Sequence, residues 1–127
     1  MAVTYVVKEK ANPLKRDDFK KWYATAKSSG ELTFRQLSKE IAAGSTTVSD
    51  TDVLAVLNDL TKILRRNLEA GKIVRFGDFG SFQITLSSAG APSEDKFHPS
   101  LIRGSKVQFR PGIDLREMQN NLKFKKV

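Results

Sequence analysis

The segment TTVSDTDVLAVLNDLTKILRRNLEAGK, residues 46–72, constrains the fold more than any other part of the chain. Val53, Val56, Leu57, Leu60, Ile63, Leu64 and Leu68 recur at intervals of three and four, the spacing of one helical face. Ser49 or Asp50 is placed to cap the helix, and Asp50 and Asp52 suit the positive end of its dipole. Gly71 closes it, with Arg65, Arg66 and Lys72 near the negative end. The apolar stripe is wider than a two-stranded coiled coil needs. A helix of this kind packs on two sides or into a partner subunit.

The flanking patterns supply the other layers. LTFRQLSKEIAAGS predicts a shorter helix, with Thr33 as cap and Gln36 completing a capping box. Its Phe34, Leu37, Ile41 and Ala42 share a face, and Gly44 is expected to stop it in the left-handed conformation. After Gly71 the period changes. KIVRFGDFGSFQITL alternates as a strand, a glycine-rich turn at GDFG and a second strand. KVQFRP reads as a returning strand ended by Pro111, and GIDLREMQNNL as a short helix with Ile113, Leu115, Met118 and Leu122 apolar. KFKKV reads as a basic tail.

At the N-terminus VTYVVKEK is a strand rich in β-branched residues, and ANPLKRDD is a turn or linker. FKKWYATAKSSG fits two patterns. Phe19, Trp22, Tyr23 and Ala26 have helical spacing, whereas Trp22, Ala24 and Ala26 alternate. A strand pairing with residues 3–8 is the expectation. The fold class is α+β.

Twenty-two Lys and Arg against 14 Asp and Glu give a net charge of +8, which favours an anionic partner such as nucleic acid. The charge is uneven. Residues 1–30 carry seven basic and three acidic residues, residues 31–75 seven and six, residues 83–110 four and two, and residues 111–127 four and two. The helical middle is nearly neutral, and the excess lies on the N-terminal segment, the excursion and the C-terminal end.

Enzyme chemistry finds little support. There is no cysteine, and His98 is the single histidine, set in a polar stretch without neighbouring ligand types. No phosphate-binding loop is present, and DFG within GDFGSF lacks every other kinase element. The expectation is a non-enzyme without metal, cofactor or small-molecule substrate. No apolar run reaches membrane-spanning length, and the start does not read as a signal peptide, which suits the cytoplasm.

Taken together, residues 31–121 resemble the bacterial histone-like DNA-bending family of HU and integration host factor. The letters that carry the likeness are Gly71, Val74, Phe76, Gly77, Phe79, Gly80, Ser81 and Phe82 after two amphipathic helices, then Phe109, Arg110, Pro111 and Gly112. Between Phe82 and Val107 lie 24 residues, close to the family's arm length. The resemblance implies a helical dimer base, a β-meander carrying a long β-arm at residues 83–106, and a short C-terminal helix. It implies a homodimer that binds and bends double-stranded DNA largely without sequence preference, its arms in the minor groove and an apolar wedge at each tip. Such a protein belongs in the nucleoid. The domain plan is an N-terminal extension at residues 1–30, an HU-like domain at residues 31–122 and a basic tail at residues 123–127. The extension is similar to that of HU-like proteins of the Bacteroides group.

Residue by residue, the implied DNA contacts are Arg75, Lys96, Arg103, Lys106 and Arg110, with Phe97 or Pro99 as wedge. The sequence departs from the family in two ways. QITLSSAGAPS, the outgoing arm strand, has no basic residue, and the tip contains Glu94 and Asp95. Ile113 stands where the family often has lysine. The alternative reading is a protein-interaction or structural module on the same frame. RNA or another anionic surface is a third candidate partner.

Overall fold

The structure, a computed structural model, describes residues 1–11, 20–44 and 47–127. The turn expected from ANPLKRDD falls almost wholly outside this set, as does Phe19. The described elements are β1 (Val3–Lys10), β2 (Lys21–Lys27), α1 (Phe34–Gly44), α2 (Asp50–Glu69), β3 (Val74–Arg75), β4 (Gly80–Ser88), β5 (Ile102–Pro111), α3 (Ile113–Asn120) and β6 (Phe124–Lys126). They form two three-stranded sheets, β2-β1-β6 and β3-β4-β5.

Local signals set the helix ends. The Thr33 hydroxyl accepts from the Gln36 N–H at 3.3 Å, while the Thr33 N–H donates to Gln36 Oε1 at 3.0 Å. That is the reciprocal capping box the sequence predicts. Ser49, not Asp50, caps α2, its hydroxyl accepting from the Asp52 N–H at 3.1 Å. At the other end Gly71 N–H reaches Leu68 O at 3.0 Å and Lys72 N–H reaches Asn67 O at 3.0 Å, the paired bonds of a Schellman cap. Gly44 departs from expectation. α1 runs through it, and it does not take a positive φ. The residues that follow, 45 and 46, lie outside the described set.

The ambiguous segment at residues 21–27 is a strand. Trp22 lies opposite Glu9, Ala24 opposite Val7 and Ala26 opposite Tyr5 in the antiparallel β1–β2 pair. The final residues are more than a basic tail. Phe124–Lys126 pair in parallel with Val3–Tyr5, and Val127 N–H donates to Tyr5 O at 2.9 Å. Residues at both ends of the chain therefore share one sheet.

The second sheet is a meander. Phe76 O accepts from Phe79 N–H at 3.0 Å across the GDFG turn, with Gly77 at φ +54. β4 then pairs with β5 from Gly80↔Pro111 to Ser88↔Ile102, with a bulge between Ser87 and Ser88. Phe82 stacks against Phe109 with centroids 4.8 Å apart, and Phe76 and Phe79 join the same cluster. Two backbones meet here without room for side chains. A Cβ on Gly112 would lie 2.1 Å from Asp78 O, and one on Gly80 would lie 2.5 Å from the Phe109 ring.

The core is thin. Among the described residues Val53 is the one buried hydrophobic side chain, and Ser38 is the one buried polar side chain, its hydroxyl donating to Arg35 O at 2.7 Å. Leu57, Leu64 and Leu68 are half-buried, but Val56, Leu60 and Ile63 of the same helix are exposed. The wide stripe is thus covered on one side only. The accessible surface is 11005 Å², whereas a compact monomer of this mass exposes about 6,800 Å².

Replacing Gly112 by Ala should destabilise the fold by more than about 1 kcal/mol, because Asp78 backbone must move. Gly90, which has open space around it, should tolerate Ala within about 0.5 kcal/mol. Urea unfolding of the two variants beside the parent checks both values.

Candidate nucleic-acid interface

The alternation of β3, β4 and β5 sorts their side chains onto two faces. Val74, Phe82, Ile84, Leu86, Val107 and Phe109 share one face by register. That face turns toward α2, and a groove of about 590 Å³ lies between them, lined by Leu64, Leu68, Ile84, Leu86 and Val107 among others. The opposite face is polar. Arg75 pairs with Ser81, Ser81 with Arg110, Gln83 with Gln108, and Thr85 with Lys106. Three of the cations expected from the sequence, Arg75, Lys106 and Arg110, are therefore brought onto one surface, and all three are exposed.

At the base of this surface is a polar cleft of about 260 Å³ lined by Arg75, Ser81, Arg110 and Arg116. Arg116 is a residue that motif reading missed. It comes from α3, where its backbone N–H bonds to Gly112 O at 3.0 Å and its Nε approaches the same carbonyl at 3.4 Å. The signal was available in one respect: Arg116 lies four residues after Gly112, one helical turn from the strand end that carries Arg110. The Gln83 amide is assigned with its oxygen toward Arg110, the orientation that satisfies both groups, and so accepts from Nη2 at 3.1 Å and Nε at 3.3 Å. This holds the guanidinium against the strand while leaving its other donors outward.

The α3 N-terminus adjoins the cleft. Gly112 occupies the cap position and offers no side-chain acceptor. The hairpin turn substitutes for it: Asp78 O accepts from Asp114 N–H at 3.2 Å and Phe79 O accepts from Gly112 N–H at 2.8 Å. Helix, turn and strand are thus fixed together around three guanidiniums. In chemical terms the cleft is suited to anionic oxygens.

The remaining expected residues lie elsewhere. Arg103 sits at the bulge, where Ser87 pairs with Gly104 and Ser88 with Ile102, so it is outside the regular alternation that carries Lys106 and Arg110. Lys96, Phe97 and Pro99 lie beyond the strands, in a loop at residues 89–101 with two 3₁₀ turns, Glu94–Lys96 and Pro99–Leu101. Phe97 is exposed. His98 Nδ1 accepts from the Ser100 N–H at 3.1 Å and lies 2.9 Å from its hydroxyl, which gives the loop histidine a local capping role. Among the described residues there is no group of three metal-ligating side chains and no helix long and apolar enough to cross a membrane.

These features meet in one family. The chain belongs to the HU-HIG family, described as an HU domain fused to a wHTH, Ig or glycine-rich motif, whose model matches residues 1–126. The match includes residues 1–30, the extension outside the HU and integration host factor likeness that the sequence reading likened to HU-like proteins of the Bacteroides group. Two solved structures share the fold. One is a candidate bacterial DNA-binding protein from Bacteroides vulgatus, with a TM-score of 0.65 at 9% identity over 99% of this chain and 48% of that one. The chain thus spans about half the length of that protein. The other is HU from Anabaena in a cocrystal with DNA, with a TM-score of 0.52 at 18% identity over 71% of this chain and 99% of that one. No protein of curated function matches the sequence.

Arg75, Lys106 and Arg110 are exposed and make no ion pair among the described residues. Replacing each singly by Ala should change stability by less than about 0.5 kcal/mol. Thermal unfolding followed by circular dichroism checks this, and a larger loss at any position would mark that cation as part of the packing instead.

Proposed function

We propose that the protein is a homodimer that binds and bends double-stranded DNA largely without sequence preference, as an architectural component of the bacterial nucleoid. The observation that carries this reading is the gathering of Arg75, Lys106, Arg110 and Arg116 on the polar side of the β3-β4-β5 sheet, opposite the side that meets α2. Phosphate contacts of this kind supply affinity without reading bases. The Anabaena HU structure contains DNA, and the shared fold supports a comparable docking of this sheet.

The ribbon beyond the helix supplies the reach. β4 and β5 carry the loop at residues 89–101 away from the base, and Phe97 and Pro99 lie in it. In the proposed complex Arg103 and Lys96 follow the backbone, and one of the two apolar residues enters a base step to kink the duplex. Glu94 and Asp95 in the same loop weaken the local field, so the sheet face contributes more to affinity than the tip does.

What is left uncovered supports the proposed dimer. Val56, Leu60 and Ile63 are exposed along α2, as are Ile84, Leu86 and Val107 beside the groove. A second copy placed there buries the unused side of the stripe and doubles the positive charge of +8. Burial of each such side chain contributes about 1.5–3 kcal/mol.

Binding to duplex DNA, titrated with salt, tests the reading. The parent should weaken linearly in log–log form, and the Arg75→Ala, Lys106→Ala, Arg110→Ala variant should lose about 0.9 of slope per phosphate contact removed. Absence of any binding at low salt, with retention of a protein partner by the loop, would favour the interaction-module reading. Sedimentation equilibrium should give twice the chain mass, reverting to one chain in a Val56→Asp, Ile63→Asp variant.

A further inference from the structure

The sheet formed by β2, β1 and β6 is chemically two-sided in a way that its fold does not require. By register, Val3, Tyr5 and Val7 share a face with Ala24, Ala26 and Phe124. All of these but Val7 line an apolar cleft of about 480 Å³. Glu9 and Lys126 lie on that same side, opposite Trp22 and Tyr5. The reverse face carries Lys8, Lys10, Lys21, Lys27 and Lys125, together with Tyr23. No carboxylate of the three strands shares it. A second cleft, lined by Val6, Lys8, Thr25 and Lys27, lies on the sheet as well.

Two details separate this face from an ordinary solvated one. Solvated faces mix both signs, since interspersed charges cost less self-repulsion. Here Lys10 stands directly opposite Lys21, and Lys27 and Lys125 flank Thr4 on either side. Like charges placed directly across a strand pair destabilise it. Among the described residues the ion pair found is Arg65–Glu69, on α2, so none of these lysines is neutralised there. Lysines on edge strands also deter edge pairing, but that role is indifferent to which face holds them. Any surface that covers the apolar face leaves the five ammonium groups turned outward.

We infer that this lysine face is a second docking surface for the backbone of duplex DNA, contacting phosphates that the β3-β4-β5 sheet does not. The inference rests on the DNA-binding reading above but uses no residue of that site. An anionic rod that spans both sheets relieves the Lys10–Lys21 repulsion, and the Tyr23 hydroxyl adds a neutral phosphate donor. The extension then lengthens the bound stretch of duplex without adding sequence preference.

The test uses the full chain and a linear duplex, with the salt slope of binding as readout. A Lys8→Gln, Lys10→Gln, Lys21→Gln variant should show a slope smaller by up to about 2.7 per bound chain, and the matching triple Lys→Arg variant should restore it. Circular dichroism and sedimentation mass establish that each variant keeps the parent fold. If the Gln triple misfolds, Lys27→Gln with Lys125→Gln reads the opposite end of the same face, with an expected loss of up to about 1.8. Unchanged slope and affinity in these variants, with weakening in the Arg75, Lys106, Arg110 variant, would overturn this inference and leave the DNA-binding reading intact. Loss of single-stranded RNA binding with duplex binding unchanged would overturn it too. If the parent binds no duplex at all, both readings fail together.

Discussion

The backbone contact between the GDFG turn and the start of α3 is the joint on which the rest of the described structure depends. Gly112 lies so close to Asp78 that no side chain fits between them, and Gly80 leaves the same absence beneath Phe109. The turn carbonyls then satisfy N–H groups of α3 that would otherwise be left over at a helix start. This one junction orients the β4–β5 ribbon, aims Arg116 at the strand that carries Arg110, and sets the exit direction of α3. From that exit Val3 N–H meets Lys123 O at 2.8 Å, which ties the N-terminal sheet to the same joint.

Around the joint the chain keeps little for itself. Its helices and strands are well formed, yet among the described residues Val53 is the one buried hydrophobic side chain, and it keeps 7% of its surface exposed. The hydrogen bonds are satisfied locally, while much of the apolar surface stays exposed. The proposed dimer supplies a cover, and it explains why α2 carries apolar residues on a wider arc than its contacts with α1 and the ribbon use.

What the sequence disclosed was whatever short-range chemistry decides. Thr33 with Gln36, and Gly71, each act within one helical turn, so their roles were readable from spacing, while the cap of α2 was narrowed to Ser49 or Asp50. The strand at Trp22 was readable only as one of two patterns, and the long-range partner β1 decided it. β6 was hidden because Lys123 and its neighbours have no strand signal of their own; three residues pair only because α3 delivers them to Val3–Tyr5. Gly44 shows the reverse, a residue permissive for a left-handed cap that the helix simply includes. Within the candidate site, Arg75, Lys106 and Arg110 followed from family likeness, but their common face followed from register. Arg116 and the displaced position of Arg103 needed a turn and a bulge, which depend on how two distant segments meet.

The nine paired residues of β4 make a lever. At about 3.4 Å per residue, the ribbon from Gly80 to Ser88 spans roughly 30 Å, with its fulcrum at the Gly80–Gly112 contact. A tilt of about 10° at that fulcrum carries the far loop about 5 Å sideways, more than the rise of one residue along a strand. The tightness of two glycines at one end therefore governs the aim of Phe97 and Pro99 at the other.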